Sequence, residues 1–132
     1  MYLLDTNICI YAMKNKHRLM EKISLMNPNC IFISTVTVSE LEYGAAKSNW
    51  GLRTRANMQN FLSPFTIIPF NSNDAVLCGR IRAYLAQRGT PIGSYDVMIA
   101  AQGISRNFII VTHNTKEFSR IQNIRLEDWV SS

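Results

Sequence analysis

Short apolar runs alternate with amphipathic stretches along this chain, so a period of two gives way to a helical period again and again. Tyr2-Leu3-Leu4 is the first run, and Asp5, Thr6 and Asn7 follow it. Cys30-Ile31-Phe32-Ile33-Ser34, Phe65-Thr66-Ile67-Ile68 and Phe108-Ile109-Ile110-Val111-Thr112 are the next three, with a weaker edge candidate at 124–126. Apolar runs of this length bounded by turn residues predict buried strands. Between them, helical spacing predicts helices at 8–13, 19–26, 36–47, 53–62, 73–88 and 94–105, with a short turn at 117–118. The breaks are chemical: Asn27-Pro28-Asn29, Ser48-Asn49-Trp50-Gly51, Ser63-Pro64 and the 89–93 loop before Ser94, a good N-cap residue. Strands alternating with helices predict βαβ units, hence a parallel sheet covered on both faces in a single α/β domain over 1–132.

Composition narrows the class. A hydrophobic content of 47% is enough for a core, and no apolar run approaches the ~20 residues of a membrane span. Asp5 leaves no room for a signal peptide's apolar region, so the expected location is cytoplasmic, without membrane contact. Cys9, Cys30 and Cys78 are odd in number and lack C-x-x-C spacing, which predicts buried reduced thiols. His17 and His113 read as surface histidines. The net charge of +5 favours a polyanionic partner, with Arg80, Arg82 and Arg88 on one predicted helix.

Few acids are present, so their placement carries weight. Asp5 and Asn114 follow strands that read as central, and Glu40 and Asp96 lie in the first turns of helices. In a parallel sheet these positions share the carboxyl edge, where ligand sites form. Each residue also has a plainer reading. Asp5 fits an N-cap, Thr37-Val38-Ser39-Glu40 a capping box, Asp96 a favourable dipole contact and Asn114 a turn. If the acids do converge, Mg²⁺ or Mn²⁺ is the natural guest, held by one or two carboxylates, waters and substrate phosphate. One or two such ions serve phosphodiester hydrolysis. The chain has no Gly-rich phosphate loop, and a D-x-D phosphatase would need an acid at Asn7. Glu42 and Glu117 compete for acidic roles, although Glu42 points away from Glu40 on a helix.

Taken together, Leu3-Leu4-Asp5-Thr6-Asn7, the 34–44 stretch with Glu40, the 89–96 stretch ending in Asp96, Ile109 through Asn114 to Phe118, and the closing Leu126-Glu127-Asp128-Trp129 resemble the PIN-domain ribonucleases, and within them the VapC toxins. The matches run in order over essentially the whole chain. The resemblance implies a three-layer α/β/α domain with a central, mostly parallel twisted sheet and an endoribonuclease dependent on Mg²⁺, for which Mn²⁺ substitutes. By position, Asp5, Glu40 and Asp96 match the family's three metal-binding acids. Asn114 stands where many members carry a fourth acid, which implies weaker hold on a second metal. Thr6, Asn7 and Thr112 resemble supporting residues. The resemblance also implies tRNA as substrate, initiator tRNA first, a homodimer or larger assembly, and silencing by a VapB-type antitoxin. From the residues alone, a non-catalytic nucleic-acid-binding module and a DNA or flap-type nuclease stay open.

Overall fold

All five strands of the sheet are parallel, in the order β3-β2-β1-β4-β5, in a computed structural model that describes residues 1–49 and 51–130. They are β1 (Tyr2–Leu4), β2 (Ile31–Ser34), β3 (Thr66–Ile68), β4 (Ile109–Val111) and β5 (Leu126–Glu127). The helices are α1 (Thr6–Met13), α2 (Leu19–Ser24), α3 (Thr35–Lys47), α4 (Gly51–Leu62), α5 (Ser72–Gln87), α6 (Ser94–Ser105) and α7 (Thr115–Phe118). Trp50, part of the predicted 48–51 interruption, lies outside the described residues.

Alternation along the strands builds the three layers. Leu4 and Val111, in register, face a core made with α1 to α4 through Ile8, Leu19, Leu41 and Met58. Ile110 faces the other way, onto α5 and α6 through Ile81, Leu85 and Val97. A period of two therefore sends neighbouring residues of one strand into different cores. Gly103 sets how closely α6 approaches: a Cβ there would stand 2.5 Å from Ile110 Cγ1 and 2.6 Å from its Cδ1. Ile110 is fully buried, so Gly103→Ala is expected to cost about 1–3 kcal/mol in denaturant melts. An unchanged midpoint would show that α6 can back away freely.

Polar contacts fix the helix starts, and several differ from the pattern reading. The Ser34 hydroxyl accepts the Val36 N–H at 2.9 Å, so α3 begins directly after β2. Glu40 consequently falls in the second turn, and Thr37 to Glu40 is not a capping box. Gly93, without a side chain to offer, occupies the cap of α6 that Ser94 was expected to fill. A capping box does open α5, between Asn71 and Asp74, each side chain bonded to the other's N–H at 2.9 Å. Helix α2 stops at Ser24, and the edge strand is shifted to Leu126–Glu127, next to β4.

Asp74 also joins α5 to α6. Arg106 Nη1 donates to its Oδ1 at 2.8 Å, and the Ser105 hydroxyl donates to the same oxygen at 2.8 Å. Burial opposes the charge, but these donors and the Asn71 N–H outweigh it and hold the carboxyl below its usual range. Cys9 and Cys78 are buried free thiols, whereas Cys30 is only partly covered. Among the described residues no helix is long and apolar enough to cross a membrane.

Candidate active site

The sheet order places β1 beside both β2 and β4, and the crevice beyond β1 and β4 is where the strand order reverses. Helices α1 and α3 leave the sheet from its carboxyl edge. Helix α6 runs back toward the start of β4, so its N-terminus reaches the same edge. Asp5 at the cap of α1, Glu40 in the second turn of α3 and Asp96 in the first turn of α6 therefore come within one another's electrostatic reach at this edge.

Asp5 is 2% exposed and serves two purposes at once. Its Oδ1 accepts the Ile8 N–H at 2.8 Å and caps α1, and its backbone N–H donates to Val111 O at 3.0 Å. The cap occupies one carboxylate oxygen and leaves the other with lone pairs for a ligand. Burial pushes this carboxyl from its ordinary 3.8 up to about 6. The Thr112 hydroxyl and the Ile8 N–H pull it down, while Asp96 and Glu40 add like-charge repulsion. Asp96, at the third position of α6, is also raised, first by burial and then by Glu40 and Glu117. Beneath Asp5, burial and the Asp5 charge push the Cys9 thiol well up, so it stays protonated.

Threonines hold Glu40. The single Thr6 hydroxyl proton goes to the carboxylate, Oγ1 to Oε1 2.7 Å, and Thr37 completes the chain 3.0 Å from the Thr6 oxygen. Thr6 and Thr37 are buried, whereas Asn7 is exposed at the cleft beside them. Glu42 leaves the group altogether and pairs with Arg55 at 2.9 Å.

At the fourth corner the structure separates the two competing acids, keeping Glu117 near the group while Glu42 turns away. Asn114 Nδ2 donates to Glu117 Oε2 across the first turn of α7, and the Asn114 N–H donates to the Thr112 hydroxyl at 3.0 Å. Glu117 is one of the charges that raise Asp96, so it belongs to the acid group electrostatically. Its signal in the sequence was the spacing Asn114-Thr115-Lys116-Glu117, which puts both side chains on one face of a helix start.

The donors are all oxygen, the set that suits a hard divalent cation. Among the described residues no three His, Cys, Asp or Glu side chains enclose an ion by themselves. A divalent cation of this kind commonly completes its shell with waters and substrate oxygens. Asp5 and the half-buried Asp96, raised first by burial and then by neighbouring carboxylates, fit such a guest, because a cation relieves the repulsion.

The family description "PIN domain" matches residues 2–124. The chain belongs to the PIN-domain family. It is 42% identical over 128 residues, 97% of each chain, to the tRNA(fMet)-specific endonuclease VapC of Salmonella typhimurium. It is 40% identical over 131 residues, 97% of each, to Ribonuclease VapC2 of Rickettsia felis. A solved structure of DNA-bound VapBC from Salmonella typhimurium superposes with a TM-score of 0.90 at 42% identity, covering 97% of both chains. Within the PIN-domain family the chain is thus of the VapC type, and the five-stranded parallel sheet between two helical layers is the PIN-like α/β/α fold. PIN-domain nucleases as a class depend on a divalent metal.

Proposed function

We propose that this PIN-domain protein is the toxin of a toxin–antitoxin pair, an endoribonuclease that cuts tRNA and is neutralised by a VapB-type antitoxin. Initiator tRNA is the leading substrate, in keeping with the name of the Salmonella relative. The reading places the protein in the cytoplasm as a homodimer within a toxin–antitoxin assembly. What carries the enzymatic part is the meeting of Asp5, Glu40 and Asp96 at the switch point, two of them pushed up by burial and mutual repulsion.

Asp5 and Asp96 would hold Mg²⁺, with Mn²⁺ able to substitute, and Glu40 lies within their field. Bound there, the cation supplies Lewis-acid activation of water and neutralises charge at the leaving oxygen of the phosphodiester. The protein's part is positional. Asp5 is locked by its cap and by Thr112, so its free oxygen has one orientation. Glu40, fixed by Thr6, presents an acceptor for a water proton at Oε2, the oxygen that Thr6 does not engage. Asn114 aims Glu117 at the group, which gives this chain a fourth acid from α7 although position 114 itself is an amide.

Cleavage of a tRNA pool with Mg²⁺, by antitoxin-free protein and by Asp96→Asn, tests the reading. Specific fragments from the wild-type chain and none from the variant are expected; equal cutting would remove Asp96 from the site. Thr6→Val keeps the shape and deletes the donor to Glu40, and kcat should fall about 10-fold, the low end for a group that orients a metal-site ligand. A wild-type kcat would show that Thr6 serves packing alone.

A further inference from the structure

Beside the acids a cleft of about 750 Å³ opens between α1, α3 and the start of α6. We infer that this cleft seats an unpaired nucleotide next to the scissile phosphate, with Tyr43 and Tyr95 as stacking faces for its base and Lys14 and Lys47 as contacts for its phosphates. The inference rests on the ribonuclease reading above and adds to it the side chains that seat the substrate beside the cut.

The cleft walls carry the argument. Tyr43 is 67% and Tyr95 55% exposed, and both line this one cavity. The other three tyrosines, Tyr2, Tyr11 and Tyr84, pack partly buried against the cores. Each exposed ring is tied to an acid of the site: Tyr43 lies one turn beyond Glu40 on α3, and Tyr95 directly precedes Asp96 on α6. An aromatic left in water gains nothing for the fold, but it offers a face that any base can cover.

Charge favours a nucleic acid over an apolar guest. Lys47 Nζ lies 4.9 Å from the Tyr43 ring centroid. Lys14 lines the same cleft from the end of α1, and neither ammonium joins an ion pair among the described residues. Carboxylates at one end and amines at the other suit a phosphate chain that meets a cation at the acids.

The floor is left open by Gly44, which lies inside α3, where glycine is a poor choice by about 0.5–1 kcal/mol relative to Ala. Among the described residues nothing stands within 4 Å of a Cβ built there, so the space above Gly44 is open. The volume is ample for one nucleotide and its neighbouring phosphate, within the usual 300–1,000 Å³ of ligand pockets. A duplex would keep its bases stacked on one another and could not present one to the rings.

The test is steady-state cleavage of a single-stranded RNA oligonucleotide and of its duplex with Mg²⁺, together with anisotropy of the labelled oligonucleotide in EDTA. Tyr43→Leu and Tyr95→Leu should each raise KM about tenfold and weaken binding in EDTA by a similar factor, with kcat changed less. Tyr43→Phe and Tyr95→Phe should restore both, because the ring stacks and the hydroxyl does not. Gly44→Met, whose Cβ meets no described atom, should raise KM by obstructing the floor. Lys14→Gln with Lys47→Gln should flatten the salt dependence of binding. Wild-type KM and binding in the Leu variants overturn the inference, and if those variants instead lose capture by the cognate antitoxin, the cleft is an antitoxin groove. Phe variants as impaired as Leu overturn stacking. Absence of cleavage by the wild-type chain defeats the ribonuclease reading alone, since the EDTA binding series still decides the cleft.

Discussion

Asp5→Asn is expected to lower the cleavage rate by about 10³-fold while leaving α1 in place. The two effects separate because the carboxylate's oxygens have separate duties. Asparagine caps a helix about as well as aspartate, so the bond from the Ile8 N–H at 2.8 Å survives the change. What disappears is a negative charge in a buried place, and with it the attraction for a divalent cation. Loss of metal-assisted charge stabilisation is worth several kcal/mol in the transition state, and ~4 kcal/mol corresponds to the stated factor. Asp5→Ala removes the cap as well and should cost about 1 kcal/mol in stability beyond the same loss of rate. Rates on tRNA with Mg²⁺, set beside thermal melts of all three proteins, distinguish these contributions. Asn and wild type cutting at equal rates would mean that the Asp5 charge has no part in the reaction.

Asp5 does cap α1, and the cap does not exclude a ligand role, for a physical reason. A strand that ends in an acid at a helix start satisfies the helix with one oxygen, so the proposed ligand role can coexist with the cap. The sheet itself was legible because each strand is an apolar run with turn residues at its ends, and parallel order followed from the helices between. Helix starts were less legible. Ser34 reads as the end of a strand, and nothing local says that its hydroxyl will turn back to the Val36 N–H, which moved Glu40 out of the capping position. Glu117 was visible only as a competitor equal to Glu42, because the choice between them depends on β4 setting α7 near α6, 21 positions from Asp96 along the chain. The two exposed tyrosines were also silent, because exposure is a property of the folded surface and neither helical period nor composition reveals it.

Metal-free protein should be more stable at pH 5 than at pH 7, by about 1 kcal/mol. The sign follows from Asp5. Its folded carboxyl titrates near 6 and its unfolded one near 3.8, so between those values the folded state holds a proton that the unfolded chain has released. Stability therefore falls as pH rises through about 4 to 6, and the full penalty stands above 6, near 3 kcal/mol at 1.36 kcal/mol per unit. Asp96 is raised as well and pushes in the same direction. Asp74 works oppositely: its carboxyl is lowered, so its contribution is lost only as pH falls through a value below 3.8, outside this window. A divalent cation at the acids removes the repulsion that makes ionisation costly, so Mg²⁺ should raise the melting temperature more at pH 7 than at pH 5. For a chain of 132 residues the pH effect in EDTA amounts to about 4 °C. Asp5→Asn should abolish most of it and, at pH 7 without metal, melt above the wild type. Melting curves in EDTA and in Mg²⁺ at the two pH values decide the matter. A wild-type protein that melts higher at pH 7 than at pH 5 in EDTA would mean that Asp5 is ionised at little cost, and the electrostatic case for a cation at this site would fall with it.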